Sequence, residues 1–498
     1  MTTPLERARR FEAEHERAIA EHERPAVHLS SRVGWMNDPN GFSFYGGKYH
    51  LFYQYHPYDS HWGPMHWGHA VSEDLLHWEY LPCALAPDTP YDDKGCFSGS
   101  AVTLPDGRHA LIYTGVSEAL GPDGRPRQIQ TQNLAFGDGV NYEKYAGNPV
   151  IAAKDLPVGG SPFDFRDPKL CALPNGGYRC VLANDRLSAT GRPLGGQMLL
   201  YESDDLVHWR LAAIPAQNPG RLGRMWECPD LFALDGEDVM LFSAQDMLPE
   251  GLEYHNGNGV LCLIGHYDEA AGRFVARADQ AVDYGIDFYA PQTLLMADGR
   301  RVMIGWMQNW DTCALPLDVA PWFGQMSLPR ELSIQNGRLY QRPLRELETL
   351  RGEYVEHRGA LVEDGEIDLN GVRGRTVDME IEIEPEGDVF TRFAAVIAED
   401  STHRTTLGFR PRESTLKIDR KFSGSRRAII HQRRAEVNHT GGRLKLRLIL
   451  DRYSVEAFVN DGEKVLSATL ATPLAADGIR FFCDGRCRIN VRCWQLRG

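Results

Sequence analysis

The sequence lacks the features that direct a chain to membranes or nucleic acid. It contains no apolar run of about 18 residues, the minimum for a membrane-spanning helix. Charged residues (Glu6, Arg7, Arg9 and Arg10) precede any apolar stretch, so we expect no export signal. A formal net charge of -14 repels phosphate backbones and anionic lipids. We therefore expect neither nucleic acid nor a membrane among the partners of this protein.

Motifs for metals and cofactors are also missing. The ten cysteines are scattered without C-x-x-C pairs, which argues against a disulfide framework and a thiolate zinc site and predicts a reducing cytoplasm. His56, His61, His66 and His69 lie close together, but not at the H-E-x-x-H spacing of a helical zinc site. G-x-G-x-x-G, P-loop and G-x-S-x-G motifs do not occur. We predict no metal and no cofactor.

The patterns that are present predict two β domains. A chain of 498 residues exceeds the usual size of one hydrophobic core. Over residues 26–342, short apolar runs are divided by Gly, Asp and Pro, which indicates many strands. From residue 377 onward apolar and acidic residues alternate cleanly, which predicts an all-β domain, a two-sheet sandwich, over residues 353–498.

Two short helices complete the expected organisation. Leu5, Ala8 and Phe11 begin a weak apolar stripe that Pro25 stops, so residues 1–25 are predicted to be a helical extension. Residues 343–352 are predicted to form a linker helix between the two β domains.

A short sequence echo indicates a repeated architecture. Residues 72–78 (SEDLLHW) match residues 203–209 (SDDLVHW) at five of seven positions, 131 residues later. Two blades of a radial repeat would produce such an echo, and a β-propeller leaves a central funnel for a site. Coincidence in a turn is the alternative interpretation.

Three acidic residues precede proline, directly or one residue removed. Asp38 lies in NDPNG, Asp167 in FRDP and Glu227 in WECPD. Proline biases the preceding residue toward extended geometry, which can fix a carboxylate at a strand end. A turn, an ion pair with Arg166 or a plain strand end would explain each of them singly.

Together, these acids fit the cleavage of a glycosidic bond. That reaction needs one ionised carboxylate beside the anomeric carbon and one protonated carboxyl beside the leaving oxygen. The amides of Asn37 and Asn40 are expected to keep Asp38 ionised, and Trp226 is expected to raise the pKa of Glu227. The many aromatic residues add stacking surfaces for a sugar.

The ordered motifs of this chain resemble the invertases and fructanases of glycoside hydrolase family 32. The resemblance covers nearly the whole chain and is carried by residues 35–41, 52–55, 66–70, 97–100, 165–168, 226–230, 283–290, 305–307, 328–332 and 454–461. It implies an all-β fold in which a five-bladed β-propeller is followed by a C-terminal β-sandwich, with the site in the funnel of the propeller.

The resemblance also implies roles for the three acids in a retaining reaction. Asp38 is the expected nucleophile, Glu227 the acid/base, and Asp167, with Arg166 nearby, the residue that holds fructose hydroxyls in the transition state. Retention requires the two catalytic carboxyls to lie about 5–5.5 Å apart. The family motifs further place seven residues around the fructose, Asn37, Gln54, Trp62, Phe97, Ser98, Tyr289 and Trp306.

The expected activity is that of a cytoplasmic β-fructofuranosidase. Sucrose, sucrose 6-phosphate and short fructo-oligosaccharides are the predicted substrates, because an enzyme without an export signal meets small imported sugars. A fructosyltransferase or an inulin- or levan-type fructanase on the same fold is the main alternative. A non-catalytic sugar-binding propeller is the other, although all three acids are present. A monomer and a homo-oligomer are equally compatible with the sequence.

Overall fold

The structure, a computed structural model, describes residues 2–120, 124–313, 321–424 and 430–497, and most of its regular structure is β-strand. One α-helix, α1 (Pro4–His15), opens the chain and is capped by Thr3, whose Oγ1 accepts a hydrogen bond from Glu6 N. The helix is shorter than predicted, and the 3-10 turns Glu16–Ala18 and Glu21–Glu23 follow it. It ends early because Ile19 adopts extended backbone and buries its side chain in the core.

The next part of the chain forms five antiparallel sheets. In chain order their strands are β1 (Gly34–Tyr45), β2 (Lys48–His56), β3 (His66–Ser72) and β4 (Glu79–Leu85); β5 (Gly95–Thr103), β6 (His109–Leu120), β7 (Pro126–Gly137) and β8 (Tyr142–Lys144); β9 (Gly160–Ala172), β10 (Tyr178–Leu187), β11 (Pro193–Ser203) and β12 (Arg210–Gln217); β13 (Trp226–Leu234), β14 (Glu237–Met247), β15 (Gly257–Asp268) and β16 (Arg273–Ala281); and β17 (Tyr289–Leu295), β18 (Arg301–Trp306), β19 (Trp322–Phe323), β20 (Arg330–Gln335) and β21 (Arg338–Pro343).

The first strands of the five sheets lie at the centre. Each contacts the next in a closed ring that runs through β1, β5, β9, β13 and β17 and returns to β1. Strand β19, although it follows β18 in the chain, pairs in parallel with β1 and adds a fifth strand to the first sheet. This arrangement is the five-bladed β-propeller that the family resemblance implied, and it has few free sheet edges.

The sequence echo marks the same turn in two blades. Ser72 ends β3 and Ser203 ends β11, the third strands of the first and third blades. Leu75 and Leu206 have nearly equal positive φ values, 68° and 69°. In both turns the serine hydroxyl accepts a backbone hydrogen bond, and so does the side chain of the aspartate two residues after the serine. The repeat therefore reflects a shared blade structure.

The remaining strands fold over a second core. They are β22 (Arg351–Ile367), β23 (Val377–Pro385), β24 (Arg392–Glu399), β25 (Arg404–Arg410), β26 (Thr415–Phe422), β27 (Gln432–Glu436), β28 (Leu444–Asp451), β29 (Ser454–Val459), β30 (Lys464–Thr469) and β31 (Gly478–Leu496). The first half of β31 pairs with β24 and its second half with β23, so this strand belongs to both layers of the predicted sandwich.

The connection between the two β regions is a 3-10 helix, Arg345–Leu350. Two other 3-10 turns lie elsewhere, at Ala153–Asp155 in the propeller and at Pro411–Glu413 in the sandwich. The connection is shorter than the predicted linker helix because β21 extends to Pro343 and β22 begins at Arg351. The predicted domain boundaries stay a prediction. Within the described ranges, no helix is long and apolar enough to cross a membrane.

Candidate active site

A β-bulge interrupts each of the five central strands. The interrupted intervals contain Asp38 in β1, Ser98 in β5, Asp167 in β9, Cys228 in β13 and Ala290 in β17. A bulge bends a strand and redirects its side chains. Because the five strands run in the same direction around one axis, the bulges turn these residues toward one end of the propeller.

Three of these bulges hold a residue in left-handed backbone. Asp167, Cys228 and Ala290 have φ values of 64°, 47° and 51°, and each precedes a proline. Such a conformation is costly for a residue with a side chain, and it persists only where the surrounding structure fixes it. The rigid acidic motifs noticed in the sequence are therefore bulges of the central strands.

Asp38 lies in the bulge of β1 and is 8% exposed. Its Oδ1 accepts a hydrogen bond from Asn37 Nδ2 at 3.0 Å and its Oδ2 accepts one from Ser98 Oγ at 2.7 Å. Asn37 Oδ1 in turn accepts a hydrogen bond from Trp35 Nε1 at 2.7 Å, which orients the amide. The carboxylate is thus held in one orientation by two adjacent blades.

Asp167 lies beside Asp38 and contacts it through a thiol. Asp167 Oδ2 accepts a hydrogen bond from Cys228 N at 2.9 Å, and its own backbone N donates to Thr114 Oγ1 at 3.0 Å. The Cys228 Sγ is 3.7 Å from Asp167 Oδ2 and 3.5 Å from Asp38 Oδ2. One buried side chain therefore bridges two carboxyl groups that come from different blades.

Glu227 has a different environment, with one charged and one neutral donor. Its Oε1 accepts from Arg166 Nε, and Arg166 Nη2 is also 3.1 Å away. Its Oε2 accepts a hydrogen bond from the Tyr289 hydroxyl at 2.7 Å. Arg166 is further held by Asp164 and by Gln130 Oε1. The guanidinium therefore links Glu227 to the blade that carries Asp167.

The electrostatics of Asp38 differ from the prediction. Burial is the largest cause and raises the pKa of this carboxyl, Glu227 raises it further, and the hydrogen bonds from Asn37 and Ser98 oppose the shift. Asn40 does not contribute a donor, because its Oδ1 accepts from Gly99 N and its Nδ2 has no partner among the described residues. The expectation that amides keep Asp38 ionised was therefore incomplete.

Trp226 is not part of the surroundings of the Glu227 carboxyl. Its ring stacks on Phe242 at 4.2 Å and its Nε1 donates to Leu222 O, on the packed side of β13. Adjacent side chains of a strand point to opposite faces, so Trp226 and Glu227 cannot share an environment. Tyr289 and Arg166, and not Trp226, therefore contact the carboxyl group of Glu227.

The other predicted binding residues lie at different depths. Gln54 is buried, and its Nε2 donates to Cys96 O at the start of β5. Trp62 is 46% exposed and meets Phe97 edge to face at 6.2 Å, so these rings form part of the open rim. Trp306 is fully buried and packs against Trp35 and Trp310. A direct contact of Trp306 with the sugar stays a prediction.

The four clustered histidines have separate partners. His66 Nδ1 contacts Pro64 O, His56 Nδ1 contacts His61 O, and His61 also contacts Asp59. His69 Nε2 faces His50 Nδ1 at 3.0 Å. In the part of the chain that the structure describes, no group of three or more His, Cys, Asp and Glu side chains is arranged to hold a metal ion.

Three residues of the site were not singled out in the sequence. Cys228 stands within the WECPD motif and could have been considered for that reason. Thr114 and Gln130, on β6 and β7, support Asp167 and Arg166 but belong to no motif. Their roles depend on pairing between strands, which the sequence pattern does not give.

Comparisons with known proteins agree with this geometry. The family model "Glycosyl hydrolases family 32 N-terminal domain" matches residues 28–343, and "Glycosyl hydrolases family 32 C terminal" matches residues 346–495. The chain is 35% identical over 462 residues to a sucrose-6-phosphate hydrolase of Escherichia coli, covering 90% of this chain and 89% of the relative. It is 36% identical over 457 residues to a raffinose invertase of Escherichia coli, with the same two coverages, 90% and 89%.

Solved structures show the same fold. A β-fructofuranosidase of Bombyx mori, solved in complex with sucrose, has a TM-score of 0.81 and 34% identity and covers 99% of this chain and 97% of its own. The sucrose-6-phosphate hydrolase of Lactobacillus gasseri has a TM-score of 0.83 and 26% identity, with 99% of both chains covered.

Proposed function

The chain belongs to glycosyl hydrolase family 32, and from this membership and its acidic funnel we infer that it is a retaining β-fructofuranosidase that hydrolyses sucrose. The main support for this function is the buried cluster of Asp38, Asp167 and Glu227, which come from three different blades. Cys228 contacts the two aspartates, and Arg166 donates a hydrogen bond to Glu227. Paired carboxyl groups in different environments are what glycosidic cleavage requires.

Asp38 and Glu227 divide the chemistry between them. Asp38 attacks the fructose anomeric carbon and forms a covalent fructosyl-enzyme, while the protonated Glu227 donates its proton to the leaving oxygen. Glu227, held by Tyr289 and Arg166, then removes a proton from the attacking water, and the bond to Asp38 breaks with retention of configuration. Burial raises the pKa of Asp167, and the carboxylates of Glu227 and Asp38 raise it further, so ionising all three acids together is unfavourable.

The remaining residues of the site hold the sugar. Asp167 accepts hydrogen bonds from fructose hydroxyls, Asn37 and Ser98 orient the nucleophile, and Trp62 with Phe97 provides an aromatic rim. Gln54 supports the wall behind Phe97, and Trp306 packs behind the site through Trp35. Contacts that strengthen as the transition state forms increase turnover more than affinity.

The substrates that we propose are sucrose, sucrose 6-phosphate and short fructo-oligosaccharides. One relative is named a sucrose-6-phosphate hydrolase, another is named a raffinose invertase, and a similar structure was solved in complex with sucrose. A cytoplasmic location is proposed because all ten cysteines are free thiols. A fructosyltransferase, which passes the same intermediate to a sugar, is the main alternative.

Hydrolysis assays on sucrose, its 6-phosphate, kestose, inulin and levan test this function. Asp38→Asn and Glu227→Gln are expected to lower turnover on sucrose by about 10³-fold or more, because each loses the group that makes or breaks a bond. Asp204→Asn, on the exposed turn after β11, is the control that keeps activity. Near-normal activity of Asp38→Asn would contradict the role of Asp38 as the nucleophile. Oligosaccharides as the main product from sucrose would favour a fructosyltransferase.

A further inference from the structure

A second cavity lies at the opposite end of the propeller axis from the acidic funnel. Its volume is about 760 Å³. Its walls come from the later halves of the same five central strands, at residues 42–44, 101–103, 169–173, 230–233 and 293–295. These residues follow the bulges by a few positions, and a strand rises roughly 3.3 Å per residue. The cavity is therefore separated from the funnel by the packed middle of the central strands.

The walls of this cavity are largely apolar. Phe42, Leu170, Leu231 and Leu294 face it, and Phe44 and Leu295 stand at the mouth with 48% and 57% of their surface exposed. Apolar walls with a few placed polar groups are typical of sites for small organic molecules.

One cation of the cavity, Arg301, has a donor without a hydrogen-bond partner and forms no direct ion pair within the described ranges. Arg301, on β18, lines the cavity and lies over the Phe232 ring at 4.4 Å, while its Nη1 donates to Thr293 Oγ1 at 2.9 Å. Its Nε is buried without a hydrogen-bond partner, and no carboxylate in the described part of the chain forms an ion pair with it. Burial lowers the pKa of this guanidinium, and the nearby carboxylate of Asp230 only partly opposes that shift.

The other basic side chains of the cavity each contact a carboxylate. Lys169 Nζ is 3.3 Å from Asp230 Oδ2 and donates to Thr293 O. Arg179 pairs with Glu202 and Glu269, and His266 lies 3.3 Å from Asp238. Among the Lys and Arg side chains of the cavity that the structure describes, Arg301 therefore differs in forming no direct ion pair.

We propose that this cavity binds a small organic carboxylate, whose anionic group pairs with Arg301 and whose apolar body lies on the walls. An arginine fork matches a carboxylate in shape and charge, and such a group would supply the missing hydrogen-bond partner of Arg301 Nε. A neutral sugar would leave the guanidinium unpaired and would cover apolar walls with hydroxyl groups. This site is independent of the proposed hydrolase function.

The chain carries a reporter for this proposal. Cys171 is an exposed thiol that lines the cavity, and Cys313 is a half-buried thiol elsewhere in the chain. We would measure alkylation of both by iodoacetamide, using peptide mass mapping, with hexanoate as the probe and hexanol as its neutral match. Hexanoate at about four times its dissociation constant is expected to slow the alkylation of Cys171 about fivefold. The rate at Cys313 should not change.

Two variants of Arg301 test whether the protection of Cys171 from alkylation depends on the guanidinium. Arg301→Gln should abolish the protection by hexanoate, and Arg301→Lys, which keeps the charge, should retain part of it. Both variants should hydrolyse sucrose at the wild-type rate, which shows that they fold. The proposal is overturned if hexanoate does not protect Cys171, if hexanol protects it equally, or if Arg301→Gln remains fully protected.

Discussion

The folded structure buries the carboxyl group of Asp167, which is unfavourable for its charged form. The residue is 6% exposed, and burial raises its pKa from 3.8 to about 7, with Glu227 and Asp38 adding to the rise and Arg166 opposing it. Between those two pH values the folded state binds more protons than the unfolded chain does. Stability that depends on this group is therefore lost as the pH rises from about 4 to about 7.

Replacing Asp167 by Asn should stabilise the protein and inactivate it. Asn keeps an oxygen that can accept from Cys228 N but never carries the buried charge, so the free energy of unfolding at pH 8 should increase by on the order of 1–3 kcal/mol. Urea denaturation at pH 8 and pH 5 measures this, and the gain should shrink at the lower pH. A gain of equal size at both pH values would assign the effect to packing instead.

The sequence predicted which acidic residues lie together better than it predicted their surroundings. The motifs that contain Asp38, Asp167 and Glu227 predicted acids held in rigid turns, and the structure brings all three into one buried cluster. The expected roles of Asn40 and Trp226 were wrong, because each depends on the direction of a side chain within a bulged strand. That direction follows from strand pairing, which a local pattern does not contain.

At the scale of elements, strands β2, β3 and β6 hold three buried imidazoles together. His50 Nδ1 is 3.0 Å from His69 Nε2, and His109 Nδ1 is 2.8 Å from the Tyr142 hydroxyl. Burial lowers the pKa of His50 to about 4 and that of His109 to about 3, and it lowers the pKa of His69 well below 6.5. These strands are therefore stable as a unit only while the three imidazoles are neutral.

The substitution His69→Phe should reduce the acid sensitivity of this blade. A histidine with a lowered pKa contributes stability that is present above pH 6.5 and is lost as the pH falls toward its folded value. From pH 6.5 to pH 4.5 the variant should lose less unfolding free energy than the wild type, because it no longer contains a buried imidazole that resists protonation. Urea titrations at both pH values measure the difference. His77→Gln, at an exposed turn, should follow the wild type, and identical slopes for all three proteins would contradict the prediction.

Elements were predictable from the sequence where one local rule decides them. The apolar runs and the echo between residues 72–78 and 203–209 predicted strands and blades, because alternation and turn chemistry act over a few residues. The end of α1 at His15 and the five central bulges were not predicted. They depend on Ile19 turning into the core and on the register between neighbouring strands.

At the scale of the whole molecule, a buried charge network joins the propeller to the sandwich. His28, just before the propeller, contacts Asp451 at 2.7 Å and Glu456 at 3.0 Å, both in the sandwich. Arg330 of the last blade also pairs with Glu456, at 2.6 Å. These partners are separated by more than 100 residues in the chain. Because a local sequence pattern does not reveal such distant contacts, the sequence predicted two β regions but not the ion pairs between them.

The substitution His28→Gln should weaken the joined molecule in a way that depends on pH. The carboxylates of Asp451 and Glu456 outweigh burial and raise the pKa of His28 from 6.5 to about 9. Its contribution is therefore fully present below pH 6.5 and is lost as the pH rises through about 9. Urea denaturation should show the variant about 3 kcal/mol less stable than the wild type at pH 6.5, with the difference narrowing by pH 9.5. His208→Gln, 87% exposed, controls for the loss of a histidine elsewhere. A deficit that stays constant across this range would mean that His28 joins the two regions by shape alone.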